Sequence, residues 1–315
     1  MPRPTTRQLL GRQLRRAAKR GAVTANRSLS RAGVLVSPRH YYSPAPDLRG
    51  LAATREQWER PSQLPGLDID LDAQMAWLAS LCEPYREEYR GNEVYLRSAE
   101  SGPGYGHVEA QALHGVLRGT RPRRYLEVGS GVSTKLALHA LALNEREGST
   151  GAVTCVEPHP RPWLREHPRV TLHRTPVQAA DLSLFTSLAA GDVLFVDSSH
   201  VVKPGSDVNF LVLEVFPRLA PGVLVHVHDI CLPYDYQRDL FDTVFHWSET
   251  SLVRAYLTHN SRARISACMS HLHYTRPDDL AELFPGYRPQ PGTFGLRAGQ
   301  AAEGHFPSSL WFVTR

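Results

Sequence analysis

No run of roughly eighteen apolar residues occurs in the 315-residue chain, so no membrane-crossing helix is expected. The opening residues also lack the short apolar block of a secretory signal. Cysteine is scarce. The four, Cys82, Cys155, Cys231 and Cys268, are far apart and form no C-x-x-C pair, which gives no zinc knuckle or thioredoxin-like site. Buried free thiols in a reducing, cytoplasmic compartment fit that usage. Acidic residues are absent from the first 40 positions, which carry ten of the chain's 36 Arg and Lys. The formal charge of +5 therefore comes from one end. The remainder holds 26 basic against 31 acidic residues, a balance that argues against a nucleic-acid groove.

What is present divides the chain in three. Residues 1–40 place Leu10, Leu14, Ala17 and Ala18 at helical spacing among basic residues. The apolar stripe is thin, so the segment reads as a solvated, disordered tail, with contact to an anionic membrane surface or an organelle-targeting role as alternatives. Residues 41–104 read as a Pro-rich linker followed by a helical extension, its stripe being Leu71, Met75, Leu78 and Leu81, with Pro84 bending or ending it. A loop at Ser101–Gly106 and a helix over about 107–118 come next. From residue 105 to 315 the chain alternates strand and helix. Strands are expected at Arg124–Val128, Ala152–Val156, Val170–His173, Asp192–Val196, Val223–Val227, Arg264–Met269 and Ser309–Val313, helices at Val132–Asn144 and Ser251–Thr258, and an insertion between Pro277 and Gly304. Helices of ten or more residues fit between most strands. Such alternation predicts an α/β fold with a mainly parallel sheet and helices on both faces.

The segment Tyr125-Leu-Glu-Val-Gly-Ser-Gly-Val-Ser-Thr134 joins the first strand to a helix through a glycine turn. Glycine lets backbone approach a ligand where a Cβ would collide, and a helix start offers free N–H groups and a positive dipole end. A pyrophosphate or the carboxylate of an amino-acid cofactor could sit there. Three features favour the second. Thr134 stands where a dinucleotide turn wants a small residue. Glu127 would repel a pyrophosphate and attract an ammonium. Glu157 ends the second strand, where an acid accepts hydrogen bonds from both hydroxyls of a ribose.

These residues resemble the class I S-adenosylmethionine-dependent methyltransferases over roughly residues 105–315. Glu127, Gly129 and Gly131 match the family's first motif, with Ser130 and Thr134 inside it, and Glu157 matches its ribose-binding acid. The resemblance implies a Rossmann-like sheet of seven strands, mostly parallel, with the last strand antiparallel.

Phe195-Val-Asp-Ser-Ser-His200 closes the fourth strand and Val225-His-Val-His-Asp-Ile230 the fifth. Ligands in open α/β sheets sit outside the carboxyl ends of strands, so Asp197, His200, His228 and Asp229 are expected to converge. Two carboxylates with an imidazole could hold Mg²⁺ or Mn²⁺. His226 and His228 are read as pointing to opposite faces, with His226 packed against a helix. Asp207 reads as a helix cap as readily as a catalytic acid, and Tyr105, Tyr234, Tyr236 and Trp247 as a pocket floor as readily as core. Together with Lys203–Asn209, these segments look like a bacterial subgroup found with glycan or natural-product biosynthesis, whose architecture metal-dependent sugar O-methyltransferases share. The resemblance implies Asp197 and Asp229 as metal ligands and His200 as the base. His228 stands where those enzymes carry Glu, and joins the expected ligand set. The expected partner is a small-molecule or glycan hydroxyl. A nicotinamide-dependent oxidoreductase and a non-catalytic cofactor-binding protein are the competing readings.

Overall fold

The computed structural model describes residues 6–36, 41–43, 45–91, 93–99, 104–289, 292–293, 295–297 and 306–315. Ser101–Pro103 of the expected loop, and 290, 291, 294 and 298–304 of the expected insertion, lie outside them. By internal contacts the chain divides into two units, Met1–Arg55 and Glu56–Arg315.

In the first unit, Thr6–Arg31 form one helix, α1, where composition pointed to a disordered tail. The segment contains no proline and is rich in Arg, Ala, Leu and Gln, which lose little entropy in a helix. A short helix, α2 (Leu48–Ala53), is capped by the Asp47 side chain, which accepts from Gly50 N.

The second unit begins well before residue 105. Helix α3 (Leu71–Cys82) starts at an Asp70 cap and buries Gln74, Leu78 and Cys82. It packs on α4 (His107–Thr120). The expected bend at Pro84 is a 3₁₀ turn, Glu83–Tyr85. Arg118 of α4, only 2% exposed, donates to both Glu88 carboxylate oxygens at 2.8 Å and so holds the extension to the domain. Gln74 Oε1 accepts from Cys268 N at 2.8 Å, which docks α3 on the sheet.

Strands β1 (Arg124–Val128), β2 (Ala152–Val156), β3 (Val170–His173), β4 (Val193–Val196), β5 (Leu224–Val227), β6 (Ala263–Cys268) and β7 (Leu310–Thr314) form one sheet in the order β3-β2-β1-β4-β5-β7-β6. Only β7 runs antiparallel to its neighbours. Alternating residues feed two cores: Tyr125, Val193 and Phe195 join one, Leu126, Leu194 and Val196 the other. Burial on both faces is why the strands read as nearly continuous apolar runs. Helix α5 (Val132–Arg146) covers one face after β1. The expected long helices elsewhere are shorter. Pro162–Arg165 follows β2, and after β4 the helix α6 (Asp207–Phe210) continues through a π turn and closes in a 3₁₀ turn, Phe216–Arg218. Helix α7 (Glu249–Leu257) precedes β6. The expected insertion holds a helix, Pro277–Leu283, and a small hairpin pairing Gly292–Thr293 with Leu296–Arg297. No described helix is long and apolar enough to cross a membrane.

Candidate active site

Beyond the carboxyl ends of β1, β2 and β4 lies a cavity of about 420 Å³, within the roughly 300–1,000 Å³ of small-molecule sites. Val128, Gly129, Glu157, Gln178, Asp197 and Asp207 are among its lining residues. Gly129 has φ +90°, and a Cβ there would stand 2.4 Å from the Asp197 carbonyl oxygen. Only glycine fits that crossing of β1 and β4. A Cβ on Gly131 would meet nothing within 4 Å, so the turn opens toward free space there. Thr134 is buried, and its Oγ1 accepts from Gly131 N at 3.0 Å. It shapes the turn without lining the cavity. Ser130 Oγ donates to Glu157 Oε2 at 3.1 Å and His159 N donates to Oε1 at 2.7 Å, which orients the Glu157 carboxylate at the cavity wall.

Glu127 departs from expectation. It is fully buried beneath the turn, Oε1 bonded to Ser133 Oγ at 2.6 Å and Oε2 3.7 Å from Cys155 Sγ. Burial pushes its pKa up to about 8. Its bond to Ser133 secures the start of α5.

The second half of the site converges as expected. Asp197 follows β4, and Asp229 follows β5 with φ +58°. His200 has φ +60°, a left-handed conformation that a non-glycine residue keeps only when its surroundings impose it. Here the backbone N–H groups of Ser248 and Glu249, at the start of α7, donate to the His200 carbonyl at 2.8 and 3.1 Å. Its Nε2 stands 3.4 Å from Asp197 Oδ1 and 3.5 Å from Asp229 Oδ2. Its Nδ1 is 2.8 Å from Oε2 of Glu249, which is 1% exposed. Burial pulls the imidazole pKa down, but bonds from Asp197 and Glu249 and the Asp229 charge outweigh it, raising the value to about 10. For Asp197 burial acts upward, yet the His200 bond and the His228 charge hold it below the usual range. Burial raises Asp229.

His228 is placed by another glutamate. Its Nδ1 is 3.3 Å from Oε1 of buried Glu109 on α4, and its Nε2 is 2.9 Å from the Gly104 carbonyl oxygen. Glu109 also accepts from Ser308 N at 3.0 Å and Ser309 Oγ, tying α4 to the start of β7. Burial lowers the His228 pKa, but Asp229 and Glu109 raise it well above the ordinary imidazole value. The expected opposite orientation of His226 and His228 is corrected. A strand repeats every two residues, so positions two apart share a face, and the two rings lie parallel with centroids 6.1 Å apart. His226 does pack in the core, stacked on Phe195 at 4.1 Å.

The metal set Asp197, His228 and Asp229 does not form a cage. The His200 imidazole stands between the two aspartates, and Asp229 Oδ1 accepts from Ser308 Oγ at 2.8 Å. Among the described residues no three His, Cys, Asp or Glu side chains are arranged to hold a metal ion. Asp207 accepts from Ser199 N at 2.7 Å and Ser199 Oγ at 2.6 Å and pins the loop before His200, while Ser206 caps the helix. Trp247 lies against His200 with centroids 4.7 Å apart, and Tyr105 against His228 at 5.0 Å. Sequence reading missed Glu249 and Glu109. Each is an acid in the first turn of a helix, which reads as an ordinary dipole partner.

Residues 126–230 match a family model described as a methyltransferase domain. Among solved structures, similarity extends to the O-methyltransferase from Bacillus cereus in complex with S-adenosylhomocysteine (13% identity, covering 77% of this chain and 100% of that one, TM-score 0.40). It extends also to an O-methyltransferase of Streptomyces achromogenes involved in tomaymycin synthesis, solved with S-adenosylmethionine (16%, 79% and 91%, 0.38). A third is a methyltransferase of Podospora anserina bound to S-adenosylhomocysteine (15%, 73% and 93%, 0.35). No curated protein matches the chain. Nothing in these matches supports a nicotinamide-dependent oxidoreductase.

Proposed function

We propose that the chain, an S-adenosylmethionine-dependent methyltransferase, methylates a hydroxyl on an organic acceptor, a sugar, glycan or natural product, with His200 as the base. The observation that carries the reading is the setting of His200, whose Nδ1 is held by buried Glu249 while Nε2 stands between the Asp197 and Asp229 carboxylates. The residues around the cavity suit the cofactor. The turn opens at Gly131, and Glu157 presents an oriented carboxylate with lone pairs left for ribose hydroxyls. S-adenosylmethionine, when bound, supplies a sulfonium methyl whose transfer to oxygen breaks its carbon–sulfur bond.

The chain's own part is to align the oxygen and take its proton. Asp197 and Asp229, open to the crevice, can accept hydrogen bonds from the acceptor. His200 Nε2 receives the hydroxyl proton, and Glu249 stabilises the imidazolium that results. With its pKa raised to about 10, the imidazole is a free base only in alkaline solution. The expected rate therefore climbs as pH rises toward about 10. Mg²⁺ or Mn²⁺ at the aspartates belongs to the same proposal only as an arm of its test, because His200 now stands between them.

The experiment follows a methyl-labelled cofactor into hydroxylated acceptors. His200→Ala is expected to lower turnover by about 10²–10⁴-fold with cofactor affinity kept. Near-normal turnover in that variant would remove His200 from the chemistry. Loss of activity in a strong chelator, restored by Mn²⁺ or Mg²⁺, would bring the cation back into the site.

A further inference from the structure

Five large apolar side chains are exposed among the described residues of Glu56–Arg315, namely Leu96, Val202, Leu213, Val244 and Phe245. Three of them bracket His200. Val202 lies two residues beyond it, and Val202 N donates to Ser248 Oγ at 2.8 Å, which draws that loop against the residues before α7. Val244 and Phe245 precede Trp247, whose ring touches His200. They are 83% and 70% exposed.

Their exposure is built in. Gln237, 3% exposed, donates through Nε2 to the Phe245 carbonyl at 2.9 Å and to Asp239 Oδ1 at 3.0 Å, and its Oε1 accepts from Trp247 N at 2.6 Å. Phe245 N donates to Thr243 Oγ1 at 3.1 Å. One buried amide thus fixes the backbone on both sides of His246, with Trp247 turned to the imidazole and Phe245 to solvent. Other aromatic rings of this loop find partners inside: Tyr236 meets Trp58 at 4.9 Å and Tyr234 at 5.5 Å. Holding a phenylalanine and a valine in water costs hydrophobic free energy, and clustered exposed apolar groups mark a binding surface.

We infer that Val202, Val244 and Phe245 form the outer wall of the acceptor site, and that the acceptor is a small molecule whose hydroxyl is carried on an apolar body, aromatic or alkyl. The inference rests on the O-methylation reading above and narrows it. Continuity with Trp247 and His200 selects this occupant, since a body resting on the wall delivers its hydroxyl to Nε2. A sugar carries hydroxyls on every edge and needs hydrogen-bonding partners, which valine and phenylalanine side chains do not offer.

Calorimetry on the full chain loaded with S-adenosylhomocysteine tests this directly, with catechol, 4-methylcatechol, 4-propylcatechol and methyl α-D-glucopyranoside as probes. Affinity is expected to rise up to about fourfold per added methylene and to be weakest for the glucoside. Val244→Ser combined with Phe245→Ser should weaken 4-propylcatechol about tenfold and leave S-adenosylhomocysteine binding unchanged, while Phe245→Leu keeps most of the affinity. Absence of alkylcatechol binding, tighter binding of the glucoside, or equal affinity in the double variant each overturns the wall. So does a double variant that changes only the sedimentation of the protein, since the patch would then seat a second copy. Alkylcatechol binding with no methyl transfer to its hydroxyls would instead retire the O-methylation chemistry and leave the wall standing.

Discussion

Gly129 and Glu157 do different work at the same turn. At Gly129 the constraint is steric and conformational together, because a Cβ meets the Asp197 carbonyl and φ is positive. Gly129→Ala is expected to push β1 from β4 at the cavity and to lower the melting temperature as well as cofactor affinity. Glu157 is half-exposed and its loss should leave the fold intact. With Glu157 as the proposed ribose acceptor, removing its carboxylate is expected to cost about 1–3 kcal/mol, or about ten- to a hundredfold in S-adenosylmethionine affinity. Calorimetry on Glu157→Ala checks this. Unchanged binding would place the ribose elsewhere. The same contrast holds for the histidines. His200 and His228 each have a buried glutamate near Nδ1, whereas His226 has no hydrogen-bond partner on either ring nitrogen among the described residues. Burial drives its pKa well below the ordinary value, so it stays neutral.

Among the elements, α3 marks the distance between reading a sequence and seeing a fold. Its apolar stripe was legible, but the helix was assigned to an extension outside the domain. In the structure Leu78 is fully buried and shares a cluster with Leu113 and Leu117 of α4. Leu78→Ala is therefore expected to cost about 2–5 kcal/mol, read as a lower urea midpoint with unchanged slope. A cost under about half a kcal/mol would return α3 to the periphery. The strands came out within a residue or two, because burial on both faces leaves runs such as Val193–Val196 unmistakable. The helix after β2 did not: it holds only Pro162–Arg165, with Pro160 and Pro168 on either side to stop a longer element. Glu249 and Glu109 stayed hidden for a related reason. Only the packing of α7 against the β4 loop, and of α4 against β5 and β7, turns a first-turn acid toward an imidazole.

For the whole molecule these buried ionisable groups predict how stability follows pH. The folded pKa of His200 is raised to about 10, against roughly 6.5 in an unfolded chain. Its contribution is fully present below about 6.5 and is lost as pH rises through about 10. His114 is opposite. Burial lowers its pKa to about 4 despite the Glu88 bond, so its contribution is present above about 6.5 and is lost as pH falls through about 4. The melting temperature of the cofactor-free protein is expected to peak near neutrality. His200→Asn should flatten the alkaline fall and His114→Asn the acid one. Parallel curves for wild type and both variants would mean that neither imidazole is linked to folding.

Composition and spacing by themselves determined the α/β class, the glycine turn after β1, and the strand ends that carry Glu157, Asp197, His200 and Asp229, because each depends on neighbours within a few residues along the chain. Whether Glu127 lies beneath the turn, what His226 stacks on, and what fills the space between Asp197 and Asp229 were decided only by the tertiary structure. Those outcomes depend on groups such as Phe195, Cys155, Glu109, Glu249 and Ser308, which lie up to 119 residues away from the side chains they set. The balance between burying a charge and pairing it, which sets the state of each of these groups, does not exist until the chain has folded.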